Sequence, residues 1–303
     1  GKAAGISADR TSRNTGTSEL GLGAKSETYE KSGNWSTLWW LPKPGSPSPG
    51  VQVAVESNAG HGVPHLFFLP SGKPPASGWP LIVFLHGQGE SAPTPLPMVA
   101  LQGPPQQAGR HPEALHFAVI SPQKPMWAQF DDDEVAPSIV SLMDFYIALY
   151  RLDATRIYLT GVSQGGVGAW GLASDARYAR RFAAAAPICG GLQVSGPKEG
   201  HRRAVALRDT PLWVFHGAND AIMPVTLSDE SVALVSKATR SARAGKPKYT
   251  RMEKAPSEDY SWQAGGIPPM KGHASWVYAY YPPGSKVGEV ALYDWFLAHT
   301  QEI

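Results

Sequence analysis

The chain has 303 residues, of which 42% are hydrophobic and 17% are charged, a composition typical of a globular protein with a sizeable core. Its net charge of +2 argues against nucleic acid as the main partner, because phosphate binding requires a concentrated basic surface. The single cysteine, Cys189, excludes an intrachain disulfide framework and a thiolate metal cluster, and no apolar run approaches the roughly 18 residues that span a membrane.

The first 50 residues are rich in Gly, Ser, Thr and Lys and lack the sustained hydrophobic periodicity of a folded element. We predict a flexible N-terminal extension that ends in a Pro/Gly/Ser-rich linker over residues 42–50. The rest of the chain, 51–303, shows no further break or internal repeat and is predicted to form one folded domain.

The first elements of this domain are strands. The runs 51–56 and 65–69 are β-favouring and predict a hairpin at the edge of a sheet. The run 81–85 is continuously apolar, as a central parallel strand covered by helices on both faces must be. A further strand is predicted at 117–121, and an acidic run then precedes a helix whose apolar residues recur at helical spacing up to Leu149.

Strands and helices alternate through the second half of the chain. The predicted strands are at 157–159, 182–187, 212–216 and 249–252. The predicted helices begin after residue 163 and cover 227–244 and 287–298, with loop-rich sequence between 187 and 212. This alternation favours a doubly wound, mainly parallel α/β sheet flanked by helices.

The centre of the chain carries a candidate catalytic serine. Gly161-Val162-Ser163-Gln164-Gly165 follows a buried strand and precedes a helix rich in small residues. This is the pattern of a nucleophile elbow, in which the residues two before and two after the serine must be small. A glycine-rich turn whose serine only caps a helix would give the same local pattern.

A catalytic serine needs a histidine that removes its proton and an acid that orients the histidine. Asp220 follows the strand at 212–216, and His273 follows the strand at 249–252 and a long loop, so the order is Ser, Asp, His. The rival residues read as helix-end, turn, loop or buried structural groups: Asp153, Asp175, His201, His216 and His299. For the oxyanion we predict the backbone amides of Gln88, in the glycine-rich turn after the strand at 81–85, and Gln164.

These motifs together resemble the α/β-hydrolase-fold serine esterases, in particular the group of carboxylesterases, phospholipases and dienelactone-hydrolase-like proteins that is related to polyhydroxybutyrate depolymerases and feruloyl esterases. The segments that carry the resemblance are Leu85-His86-Gly87, Gly161 to Gly166, Ala186 to Gly191, Val214 to Gly217 with Asp220, Gly272-His273 with Trp276, and Leu292 to Leu297. The resemblance covers about residues 51–299.

The resemblance implies a serine hydrolase with Ser163 as nucleophile, His273 as general base and then acid, and Asp220 orienting His273. It implies no metal and no organic cofactor. We expect substrate contacts from His86 and three tryptophans, Trp127, Trp262 and Trp276, although core packing would also explain the tryptophans. The segment 256–271 before His273 is longer than usual for the group, and with the N-terminal extension it could roof the site.

Three functions remain open at this point. The leading one is hydrolysis of a small-molecule carboxylic ester, the second is a serine peptidase or amidase that uses the same triad, and the third is a non-catalytic hydrolase-fold binding module. The intact Ser163, Asp220 and His273 set argues against the third. A monomer is slightly favoured, and low cysteine usage slightly favours the cytoplasm, with secretion after removal of a leader left open.

Overall fold

A computed structural model describes residues 40–56, 63–238, 241–257, 271–280 and 292–301. The strands are β1 (Lys43–Pro44), β2 (Gln52–Val55), β3 (His65–Phe68), β4 (Leu81–Leu85), β5 (Ala118–Pro122), β6 (Ile157–Val162), β7 (Ala184–Ile188), β8 (Trp213–Gly217) and β9 (Lys248–Met252). The α-helices are α1 (Gly103–Arg110), α2 (Ala136–Tyr150), α3 (Gln164–Ala173), α4 (Pro197–Ala206), α5 (Thr226–Lys237), α6 (Trp276–Ala279) and α7 (Leu292–Leu297).

The described strands form one nine-stranded sheet in the order β1-β2-β3-β5-β4-β6-β7-β8-β9. From β5 to β9 every pairing is parallel, whereas β3 is antiparallel to both β2 and β5. The carboxyl ends of the parallel strands therefore meet at one edge of the sheet, which is where doubly wound proteins place their functional groups.

The core lies on both faces of this sheet because successive side chains of a strand point to opposite faces. In β4, Leu81, Val83 and Leu85 belong to a core cluster shared with α2, α3, α4 and α5, whereas Ile82 and Phe84 belong to one shared with α1, α6 and α7. All five residues of β4 are buried. This burial explains the continuous apolar run in the sequence and confirms the prediction of a central parallel strand.

The mainly parallel sheet and the N-terminal hairpin are confirmed, but three predicted details are wrong. The predicted linker contains β1, which pairs with β2, so residues 43–44 belong to the sheet edge. Helix α5 ends at Lys237, not at residue 244: the backbone of Ala238 is extended, and residues 241–245 form a turn in which Arg243 donates to the carbonyl groups of Ala183 and Asp209. The stretch predicted as loop after β7 contains helix α4, which begins with a proline at its first turn.

The start of the predicted last helix, at residue 287, lies outside the described residues, and α7 gives the part of it that is described. None of the helices in the described ranges combines the length and the apolar character that crossing a membrane requires.

Candidate active site

Ser163 lies at the junction between β6 and α3, at the carboxyl edge of the sheet. Its backbone has φ 56° and ψ −119°, a conformation that costs a non-glycine residue of order 1–3 kcal/mol and persists only where the surroundings impose it. Its N–H donates to the carbonyl of Ile188 at 3.0 Å, which fixes the turn against β7. The sequence prediction of a strand, a tight turn and a helix around Ser163 is confirmed in this geometry.

Two glycines allow this turn because main chains cross directly beside them. A Cβ on Gly165 would lie 2.0 Å from the carbonyl oxygen of Leu85, and a Cβ on Gly161 would lie 2.3 Å from the carbonyl oxygen of Gly165. Real Cβ atoms essentially never approach backbone oxygens so closely, so each position requires glycine. The small residues of the motif therefore bring the end of β4 against the start of α3.

Asp220 lies in the turn after β8 and its side chain is fully buried. Oδ1 accepts the N–H groups of Ile222 and Met223, both at 2.9 Å, and Oδ2 lies 2.6 Å from Nδ1 of His273. Burial alone would raise the pKa of Asp220, but the hydrogen bonds from the neighbouring histidines outweigh it and lower the pKa to about 2. The carboxylate is therefore ionised at neutral pH.

His273 is buried at the end of the turn over residues 271–273, before α6, and its Nδ1 faces Asp220. The ring meets the indole of Trp276 edge to face, with centroids 5.3 Å apart. Burial disfavours the imidazolium, but Cys189 and the Asp220 carboxylate favour it and raise the pKa of His273 above its ordinary value. Because the ionised Asp220 accepts from Nδ1, Nε2 is the nitrogen that is left to act as a base.

Cys189 is a member of this site that the sequence did not predict. It is buried, has a positive φ of 42°, and its Sγ accepts the N–H of Ser163 at 3.2 Å. Ligand atoms of Cys189, Asp220 and His273 lie within 4.8 Å of one another. A metal ion could use that spacing, but Nδ1 of His273 and Oδ2 of Asp220 are already bonded to each other, as a base and its orienting acid are.

His216, at the end of β8, contacts the other side of Asp220. Its Nε2 lies 3.2 Å from Oδ2 of Asp220 and 2.9 Å from the carbonyl oxygen of Met223, and its Nδ1 lies 2.7 Å from Oγ of Ser228. The side chain is fully buried. His216 thus belongs to the structure that holds Asp220, in agreement with its interpretation as a buried structural histidine.

The two residues predicted to supply oxyanion amides both begin a helical turn. Gln164 is the first residue of α3, and Gln88 is the first residue of a 3-10 turn over Gln88–Glu90. The first N–H groups of a helix have no acceptor within it, so both amides can bind an anion. A Cβ on Gly87 would lie 3.7 Å from Cβ of Ser163, which places the segment before Gln88 beside the serine.

The segment 126–129 contacts the side chains of both of these glutamines. Nε2 of Gln88 donates to the carbonyl of Met126 at 3.1 Å, and Nε2 of Gln164 donates to Oε1 of Gln129 at 3.0 Å. Trp127 lies between these contacts with 73% of its surface exposed. An exposed indole in a segment that contacts both glutamines is available to a substrate.

The other predicted substrate contacts differ from Trp127. His86 is fully buried, its Nδ1 donates to the carbonyl of Gly87 at 2.6 Å and its Nε2 accepts the N–H of Lys124, which favours a role in holding the loop over contact with substrate. Burial lowers the pKa of His86 to about 3, so the ring is neutral. Trp276 is buried against His273, and Trp262 lies outside the described residues.

No family model matches the chain, and no curated protein matches its sequence. Among solved structures, a thermostable esterase is similar with a TM-score of 0.58 and 27% identity over 82% of this chain and 63% of the esterase chain. An acetyl xylan esterase from Aspergillus awamori gives a TM-score of 0.47 and 18% identity over 61% of this chain and 79% of its own. The feruloyl esterase module from Clostridium thermocellum gives 0.46 and 13% over 70% and 84%.

This chain therefore spans about 63% of the length of the thermostable esterase. That likeness agrees with the sheet order, the helices on both faces and the strand-turn-helix at Ser163. The chain has the α/β-hydrolase fold, as its sequence motifs predicted.

Proposed function

We propose that the chain is a serine hydrolase that cleaves carboxylic esters through an acyl-serine intermediate. The observation that carries the proposal is the buried 2.6 Å contact between His273 and Asp220, joined through Cys189 to the strained Ser163 turn. Residues 53 positions apart meet there in the order that this fold uses for an acid and a base. The likeness to a thermostable esterase supports the same reaction class.

In the first step, Oγ of Ser163 attacks the ester carbonyl while Nε2 of His273 takes the hydroxyl proton. Asp220 keeps the other proton on Nδ1 and stabilises the imidazolium that forms. The imidazolium then protonates the leaving alcohol as the carbon–oxygen bond breaks, which leaves an acyl group on Ser163.

The negative charge on the carbonyl oxygen develops between the amides of Gln88 and Gln164. Donors that are fixed before the reaction stabilise this charge without reorganisation, and loss of one typically lowers the rate by about 10²–10³-fold. In the second step, His273 removes a proton from water, which attacks the acyl carbon and regenerates Ser163.

We also propose that residues 51–303 form the catalytic domain, with β1 attached at the outer edge of its sheet. The residues before 40 and the segment 258–270 lie outside the described structure. The proposal that these parts limit access to the site therefore rests on the sequence.

The test is hydrolysis of p-nitrophenyl esters of increasing acyl length, together with methyl ferulate and matched p-nitroanilides. Ser163→Ala is expected to lower kcat/KM for every cleaved ester by about 10⁴-fold or more, because only binding and oxyanion effects remain. Ser71→Ala is the control, since Ser71 is exposed in a turn.

Ester turnover by Ser163→Ala at the wild-type rate would contradict the proposal. Faster cleavage of anilides than of esters would replace it with an amidase, and silence on every substrate would favour a binding module. The acyl-length profile of an active enzyme would report the size of its acyl pocket.

A further inference from the structure

Lys124 is a buried lysine in contact with Gln88, and it has no role in the proposed ester hydrolysis. It lies two residues beyond β5, is 1% exposed and is among the largest fully buried side chains. Lysine is almost never fully buried unless its charge is paired or bonded. Its burial beside the site therefore calls for a physical reason.

The backbone of Lys124 holds both ends of the segment 86–92, which contains Gln88. Its N–H donates to Nε2 of His86 at 3.3 Å, and its carbonyl accepts the N–H of Ala92 at 2.9 Å. The segment that carries the Gln88 amide is thus fixed at its first and last residues by one residue.

The ammonium of Lys124 binds the middle of the same segment. Nζ donates to Oε1 of Gln88 at 3.2 Å, to Oγ of Ser91 at 3.1 Å and to the carbonyl of Pro125 at 3.4 Å. The Gln88 side chain is then held at both of its polar atoms, because its Nε2 donates to Met126. Such a side chain restricts the rotation of the backbone that presents the Gln88 amide.

The charges around this ammonium come from several elements. Asp132, in the turn before α2, attracts it, and the ring face of Phe130 lies 5.6 Å from Nζ. His86 is neutral, and Glu90 is buried on the held segment itself. Burial lowers the pKa of Lys124 to about 8, with Asp132 opposing, so the ammonium is the main form at neutral pH.

We propose that Lys124 is the positioning residue of the oxyanion site, and that its ammonium, through Gln88 and Ser91, fixes the Gln88 amide toward the carbonyl oxygen of the substrate. This inference rests on the proposed ester hydrolysis for its kinetic readout. Its effect is on the transition state, because the oxyanion is formed only there.

The kinetic experiment compares Lys124→Met, Gln88→Leu and the double variant on a p-nitrophenyl ester. Methionine keeps the length and flexibility of the side chain without its charge, and Gln88→Leu removes the bonded side chain of an exposed residue while keeping the backbone amide. We expect each single variant to lower kcat by about 10–100-fold with KM within about twofold, since misplacement of a catalytic group by 1 Å can cost about 10²-fold.

Because both substitutions break the same link, the double variant should be no slower than the slower single variant. The wild-type to Lys124→Met ratio of kcat should also shrink as the pH rises through about 8, because wild-type Lys124 loses its charge there. Lys73→Met, at an exposed site, is the control and should behave as wild type.

Hydrogen–deuterium exchange separates this proposal from the proposed function, since it needs no substrate. Amides of the segment 86–92 should exchange faster in Lys124→Met than in wild type or Lys73→Met. Unchanged exchange there, a kcat within twofold of wild type for Gln88→Leu, or multiplicative losses in the double variant would each overturn the proposal. Gln88→Leu decides the outcome if Lys124→Met does not fold.

Discussion

Ser163 is held by main-chain contacts between three neighbouring elements, whereas His273 is held by a side-chain hydrogen bond to a carboxylate. On the serine side, β4, β6 and α3 approach so closely that a single methyl group on Gly165 or Gly161 would overlap a backbone oxygen. On the histidine side, Asp220 and His273 come from turns, and their contact spans 53 positions of sequence.

This difference indicates which kind of change each side tolerates. The serine side depends on backbone packing, so a substitution there should reduce stability first. The histidine side depends on charge and hydrogen bonding, so a substitution there should reduce activity or move its pH dependence while the fold survives.

The largest effect is expected for Asp220→Asn on the histidine side. Asparagine retains an Oδ1 that can accept the N–H groups of Ile222 and Met223, but it cannot stabilise the imidazolium or fix the tautomer of His273. We expect kcat to fall by about 10⁴-fold in a protein that still folds cooperatively. Asp144→Asn, at an exposed ion pair with Arg181, is the matched control. A loss below tenfold would mean that Asp220 does not orient the base.

Gly165→Ala tests the serine side. Its Cβ would lie 2.0 Å from the carbonyl oxygen of Leu85, which belongs to the central strand and cannot move freely. We expect the free energy of unfolding to fall by about 3 kcal/mol or more, measured by urea denaturation. Gly45→Ala, whose Cβ would meet its nearest neighbour at an ordinary 3.8 Å, should change little. Equal stability of the two variants would contradict the close packing of the elbow.

Cys189→Ala changes a residue that contacts both the Ser163 turn and His273. His273 must be unprotonated to accept the serine proton, so activity rises with pH through the pKa of His273. Burial lowers this pKa and Cys189 raises it, with Asp220. Removal of the sulfur should therefore move the acidic limb of the kcat/KM profile to lower pH. An unmoved limb, or one at higher pH, would show that Cys189 does not stabilise the imidazolium.

The smallest effect is expected for Trp127→Ala, at an exposed residue of the segment 126–129, which belongs neither to the serine side nor to the histidine side. Stacking on an exposed indole is worth about 1 kcal/mol, so KM for methyl ferulate should rise by about fivefold, with ethyl acetate unaffected. Leu149→Ala removes another exposed apolar side chain, at the far end of α2, and is the control. Equal effects of Trp127→Ala on both esters would remove Trp127 from aromatic recognition.

The serine side could be predicted from the sequence because its geometry is local. The apolar run, the spaced glycines and the small-residue helix are contiguous in sequence, so strand, turn and helix follow from them. The order of Asp220 and His273 also predicted their proximity, since both follow strands of a parallel sheet.

The remaining site residues could not be predicted because their roles depend on contacts between distant segments. Lys124 looks like any loop lysine until its side chain is found buried under the segment 86–92. Cys189 follows β7, and only the sheet order places its sulfur against Ser163. The end of α5 was also missed, because residues 241–245 form a turn in which Arg243 donates to carbonyl groups far away in sequence.

An activated Ser163 should react with a fluorophosphonate probe, which needs no knowledge of the natural substrate. We expect peptide mass spectrometry to find one phosphonyl group per chain, on Ser163, with none on Ser163→Ala and an unchanged yield on Ser71→Ala. Labelling should also slow strongly in Asp220→Asn. A folded wild-type protein that remains unlabelled, or that carries the probe on another residue, would show that Ser163 is not the nucleophile.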